Sequence, residues 1–156
     1  MEAMLLEAFP QRVVENIREG CNCETCRSLQ TQLEGISWRD VPKEFIRSND
    51  WVLPLLSHEA YLAFLPAWLR QGILEPDGPN AQMLLVNLRH EPDTSGFTSL
   101  QAAAIIDAAQ FMVSSSKMMS EEPESMENIA DIKRVWSPIA AQLGAPADVP
   151  ASRDRG

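Results

Sequence analysis

A chain of 156 residues, 45% hydrophobic and 22% charged, has the size of one domain and can bury a core without disulfide or metal staples. Its apolar runs are cut by Pro, His or Glu well short of the ~18 residues that a membrane span needs. Thirteen basic residues against 22 acidic ones leave a net charge of −9 with no basic cluster, which argues against nucleic-acid binding driven by phosphate neutralisation.

Glu2 and Glu7 stand where a secretory signal would carry basic residues and then an unbroken apolar stretch, so the expected location is cytoplasmic. The first elements in chain order are expected to be helical: Glu2–Phe9 and Pro10–Arg18, separated or bent at Pro10, with Gly20 closing the segment. A second helix over Glu24–Leu33 pairs Leu29 with Leu33 at i, i+4, and Gly35 suits a left-handed C-terminal cap. Pro42–Arg47 reads as a short helix carrying Phe45 and Ile46. Ser57 is placed to cap the next helix, and Tyr61, Phe64, Leu65, Trp68 and Leu69 recur at three-and-four spacing along one face. Pro66 removes the bond its N–H would give to Leu62, which predicts a kink.

After the turn cluster Glu75–Asn80, the stretch Ala81–Leu88 favours helix over strand because Met, Leu, Gln and Ala outnumber β-branched residues. Thr98 and Gln101 have capping-box spacing and open a helix over Ser99–Val113, with Ala102, Ile105, Ile106, Ala109, Met112 and Val113 on its buried face. Ser114–Glu127 reads as a mobile polar connection. A last helix begins at Pro123 and carries Met126, Ile129, Ile132, Trp136, Ile139 and Leu143 as an apolar stripe across Pro138. With no alternating strand and no internal repeat, the expected fold is all-α: a single compact domain over 1–144 of five to seven helices, an irregular bundle with proline-kinked helices. The tail 145–156 is expected to fray.

Chemistry concentrates in one place. Cys21, Cys23 and Cys26 are all the cysteines of the chain, packed just before the second helix. A Cys-x-x-Cys pair lets two thiolates approach one metal or each other, and a helix N-terminus favours the thiolate. Three readings stand: a zinc site completed by His58 or His90, a redox role, or reduced and partly buried thiols. His58-Glu59 does not continue as a metalloprotease helix, since Leu62 occupies the second histidine position. Either histidine would need a pocket and an orienting carboxylate to act as a base, so both are expected at the surface. Asp107 sits among Leu100, Ala103, Ala104 and Phe111, yet the opposite side of that helix holds the larger apolar groups, which places Asp107 at the boundary or in solvent. No nucleophile elbow, phosphate loop or dinucleotide fingerprint occurs. The expectation therefore leans against an enzyme and a cofactor, with zinc and hydrolase chemistry entering only under the metal reading.

Cys21-x-Cys23-x2-Cys26, then Trp38, the block Leu53–Leu69 and Phe97-Thr98-x2-Gln101 before an Ala/Ile-rich helix resemble a bacterial family of small helical proteins of unknown function. Its block reads Leu-Pro-Leu-x-Ser-x-Glu-Ala-aromatic and then Pro-Ala-aromatic-Leu. The likeness runs over roughly 8–113, with Leu62 and Ala63 standing where that family commonly has aromatics. The resemblance implies a bacterial, cytoplasmic, helical protein and carries no residue role. Two functions follow as expectations. The first is a non-enzymatic acidic module that binds a basic protein, such as the toxin neutralised by a cognate immunity protein, through Glu121, Glu122, Glu124 and Glu127. The alternative is a small metal-binding protein or metal-dependent hydrolase that uses the three cysteines.

Overall fold

The computed structural model describes residues 1–18, 20–90 and 92–144. Among them are seven α-helices and no strand: α1 (Glu2–Ala8), α2 (Glu24–Leu33), α3 (Lys43–Ser48), α4 (His58–Leu74), α5 (Pro79–Arg89), α6 (Ser99–Ser115) and α7 (Pro123–Ala140). The all-α class is thus as expected; the tail 145–156 lies outside the described residues. Helix α6 packs most extensively against α7, α4 lies against α5 and α6, and α5 bridges α4 and α7.

Helix α4 is the centre of the molecule. Ser57 Oγ accepts the Ala60 N–H at its start, as the spacing predicts. The helix runs through Pro66 to Leu74 and buries far more than one stripe: Ala60, Ala63 and Ala67 are enclosed along with Phe64, Leu65 and Trp68. Small alanines let neighbouring helices approach from the sides that the aromatics leave free. Three tryptophans, Trp38, Trp68 and Trp136, are fully buried. Each indole N–H finds a carbonyl at a chain connection or helix end: Phe9 at 3.3 Å, Asn49 at 3.2 Å and Leu88 at 3.1 Å, respectively. A buried indole must satisfy its donor, and here that need ties loops to the core.

The stretch expected as a helix over Pro10–Arg18 is not helical. Pro10 disfavours helical backbone at Phe9, which is extended (φ −115°, ψ 108°). The chain then runs irregularly with Val14 and Ile17 buried. Its backbone groups are satisfied by other segments. Gln30 Oε1 accepts the Ile17 N–H, Gln30 Nε2 donates to the Glu15 carbonyl, and the Ile17 carbonyl accepts the Ser57 N–H.

Two further expectations change at α6 and α7. Ile106 is only partly buried and packs at the edge of the core. Along α7, Ile129, Ile132 and Trp136 are buried and Ile139 packs at the edge of the core as expected, whereas Met126 is 60% exposed and Ser125 and Asn128 face inward with them. Asn128 Oδ1 accepts from the Arg89 guanidinium at the end of α5, which satisfies a polar group on that inward face. The side chain of Leu143 lies outside the described residues.

The connection expected as a mobile linker is folded. Helix α6 continues to Ser115, a single 3-10 turn covers Met119–Glu121 with Met119 buried, and α7 starts at Pro123. Asp77, in the turn before α5, holds it. Asp77 Oδ1 accepts from Ser116 Oγ at 2.6 Å and from the Lys117 N–H at 2.9 Å. The Ser116 hydroxyl, helped by the backbone N–H groups of Met118 and Lys117, lowers the Asp77 carboxyl below its ordinary value. A carboxyl so held adds stability that is fully present above the ordinary carboxylate range and lost as pH falls through the depressed value. Asp77→Asn is therefore expected to flatten the acid limb of a plot of melting temperature against pH; an unchanged acid limb would refute the clip.

Candidate functional site

Helix α5 turns Ala81, Leu84, Leu85 and Leu88 into the core and leaves Gln82, Met83 and Val86 outside. Three adjoining hollows run along this outer face. One, of about 430 Å³, lies between Leu53–Leu56, Tyr61 and the loop at Pro92–Asp93. A second, of about 160 Å³, shares Leu53, Pro54, Asn87 and His90 with it and adds Trp51 and Asp50. The third, of about 360 Å³, shares Met83 and Val86 with the second and reaches Glu122 and Glu124 on α7. Large apolar side chains are displayed at the middle of this strip: Trp51 is 48% exposed, Met83 41% and Val86 36%. Asp50, Asp93, Glu122 and Glu124 line these hollows, and a fourth, of about 240 Å³, shares His90 with two of them and is lined by Arg89, Asp131 and Arg134; the Arg89 guanidinium also donates to Asn128 at the third.

The four candidate glutamates divide accordingly. All are exposed. Glu122 is the N-cap residue of α7 and Glu124 lies in its first turn, where the helix dipole favours negative charge. These two border the third hollow; Glu121, in the 3-10 turn, and Glu127 do not.

His58 and His90, expected as unrelated surface residues, line the same hollow, and a carboxylate stands beside one of them. His58 Nε2 lies 2.8 Å from the Ser95 carbonyl, which can only accept, so Nε2 carries the proton. Ser95 Oγ is 3.2 Å from the same nitrogen but donates to Asp93 Oδ1 at 2.6 Å. His58 Nδ1 faces Asp93 Oδ2 at 3.5 Å. Serine, histidine and aspartate are thus adjacent, but in this wiring no free imidazole lone pair meets the hydroxyl; the contacts pin the 93–96 loop to the start of α4. Across the hollow Tyr61 donates to Asn87 Oδ1 at 2.7 Å, and burial pushes its phenol above the ordinary range. Asp107 is exposed, as expected.

Away from this face, the thiol sulfurs of Cys21, Cys23 and Cys26 all lie within 4.8 Å of one another. Gly20, in the left-handed region at φ 67°, turns the chain into the cluster. Arg18 braces the loop by donating to the Cys21 carbonyl at 2.8 Å and to Asn22 Oδ1 at 3.0 Å. Cys23 is the N-cap residue of α2, and its N–H points at Cys21 Sγ, 3.4 Å away. Cys26, in the first turn, is buried; the other two are exposed. The Cys21 thiol, then the Cys26 N–H, lower the Cys23 thiol to about 7, while the neighbouring Cys23 and Cys21 sulfurs push Cys26 up to about 12. Neither histidine joins this group, and no fourth ligand from His, Asp or Glu completes it among the described residues. The metal reading that brought His58 or His90 to the cysteines therefore loses its histidine: both line the α4–α5 hollow instead.

Fold and surface together define an all-α domain with an apolar strip edged by carboxylates and a separate thiol cluster. No protein-family model, no curated protein and no solved structure matches the chain.

Proposed function

We propose that the chain is a non-enzymatic protein-binding module that docks a basic amphipathic helix of its partner against the outer face of α5. The observation that carries this reading is the strip of Trp51, Met83 and Val86 bordered by Asp50, Asp93, Glu122 and Glu124. A helix laid in a groove offers apolar anchors at i, i+3, i+4 and i+7. The distance from Gln82 to His90 along α5 is about 12 Å at 1.5 Å per residue, enough for two such anchor turns. Carboxylates on both sides match lysines or arginines flanking the apolar stripe, and the net charge of −9 adds long-range attraction. Exposed Trp and Met are common central anchors of protein interfaces. In its finer form the module is a bacterial immunity protein that neutralises a basic toxin; acidity, small size and the resemblance carried by the Leu53–Leu69 block support that form.

A synthetic 18-residue helix of leucines on one face and lysines on the other serves as the probe, with a scrambled peptide of the same composition as control. The helix is expected to bind more tightly than the scrambled peptide, with affinity falling as salt rises. Joint Glu122→Gln and Glu124→Gln substitution is expected to weaken binding severalfold when compared at matched folded fraction, since both carboxylates also favour the N-terminus of α7, while Glu121→Gln has a smaller effect. Equal binding of both peptides, or indifference to the joint substitution, would refute the docking face.

A further inference from the structure

The cysteine cluster shares no residue with the face around α5, so a metal site there stands or falls separately from the docking reading. We propose that Cys21, Cys23 and Cys26 form a three-thiolate site for one zinc ion, with a fourth position open to water or an external donor. Three sulfurs bound to a common zinc at about 2.3 Å sit about 3.8 Å apart in a tetrahedral arrangement and about 4.0 Å apart in a planar one. The cluster already holds its sulfurs within 4.8 Å of one another. Cys21 and Cys23 are exposed, so rotation of their side chains closes the difference without moving the core. Cys26 is anchored on the first turn of α2 and supplies the fixed ligand.

The surroundings suit such a centre. The Cys23 N–H directed at Cys21 Sγ is the kind of outer contact that orients a metal-binding sulfur and holds its charge. The Arg18 bonds to Cys21 and Asn22 fix the loop that presents the first two ligands. Three thiolates and one divalent cation leave a charge of −1; each ligand yields its proton to solvent on binding. Two of the three ligands are exposed and no fourth ligand from His, Asp or Glu completes the group among the described residues, so the site suits a metal that exchanges with an external ligand more than a closed structural centre.

The test is a titration of the reduced 156-residue chain with Co2+ under anaerobic conditions, followed by Zn2+. Expected are a thiolate-to-cobalt charge-transfer band with the intensity of three sulfurs, saturation at one ion per chain and loss of the band when Zn2+ displaces cobalt. Added imidazole is expected to shift the cobalt d–d bands by occupying the fourth position. Cys21→Ser and Cys23→Ser, both at exposed positions, are expected to weaken Zn2+ binding tenfold or more with helix content unchanged by circular dichroism, which keeps the test independent of any folding defect in Cys26→Ser. Absence of a charge-transfer band, or a Zn2+ affinity equal in wild type and both serine variants, would overturn the site; a cobalt spectrum indifferent to imidazole would overturn its open position.

Discussion

Phe64→Ala is expected to lower the unfolding free energy by about 3–5 kcal/mol, the range for truncating a well-packed buried phenylalanine. Phe64 is fully enclosed on α4, the helix that meets α1, α3, α5 and α6, so the void opens in the interior of the bundle. Against a total stability of about 5–15 kcal/mol for an ordinary domain, the loss is a large fraction. Chemical denaturation reads it directly: the midpoint should fall with the slope unchanged. A midpoint equal to that of the wild type would show that this face of α4 is not core.

Trp136→Ala is expected to cost a similar amount, about 3–5 kcal/mol, for two combined reasons. The indole is fully buried, and Phe97 stands edge-on against it with ring centroids 4.9 Å apart. Its N–H also donates to the Leu88 carbonyl in the last turn of α5. Trp136→Phe separates the two contributions: it keeps most of the apolar burial and removes the donor, leaving the buried Leu88 carbonyl short of a partner at a cost of about 1–3 kcal/mol. Because the bond ends on α5, both variants should also weaken probe binding at the outer face of that helix, whereas Phe64→Ala should do so less at matched folded fraction. Equal binding by all three variants would show that the outer face of α5 does not depend on its anchor to α7.

What could be read in the residues was local. Ser57 caps α4 and Thr98 with Gln101 forms the reciprocal box on α6 because such bonds span only three residues. The composition of 81–88 sufficed for helix, since Met, Leu, Gln and Ala outnumber β-branched residues, but it could not show that 81, 84, 85 and 88 face inward and Met83 and Val86 do not. What failed was decided by distant partners. Residues 10–18 are not helical, and Gln30 and Ser57 satisfy their backbone instead; on α7 only Met126 left the expected stripe, while Ser125 and Asn128 entered it. The cysteines were legible as a cluster from their spacing, but the separation of both histidines from them was not, since Ser95 and Asp93 hold His58 elsewhere. Glu122 and Glu124 could be named from the sequence as acidic. That Met83 and Val86 lie beside them, and Trp51 beside Met83 and Val86, could not, because only the packing of α5 beside the Leu53–Leu55 turn brings those side chains to one face.

Trp51 gives the most direct measurement of the docking face. Of the four tryptophans three are fully buried and Trp51 alone is exposed, so a soluble quencher such as acrylamide reports on it almost exclusively. When the leucine–lysine helix binds, quenching of the wild-type chain is expected to fall and the emission to shift to the blue, as an indole leaving water does. Trp51→Phe should abolish both changes. Full quenching of Trp51 at a peptide concentration that saturates binding would place the basic helix somewhere other than the face of α5 and contradict the account.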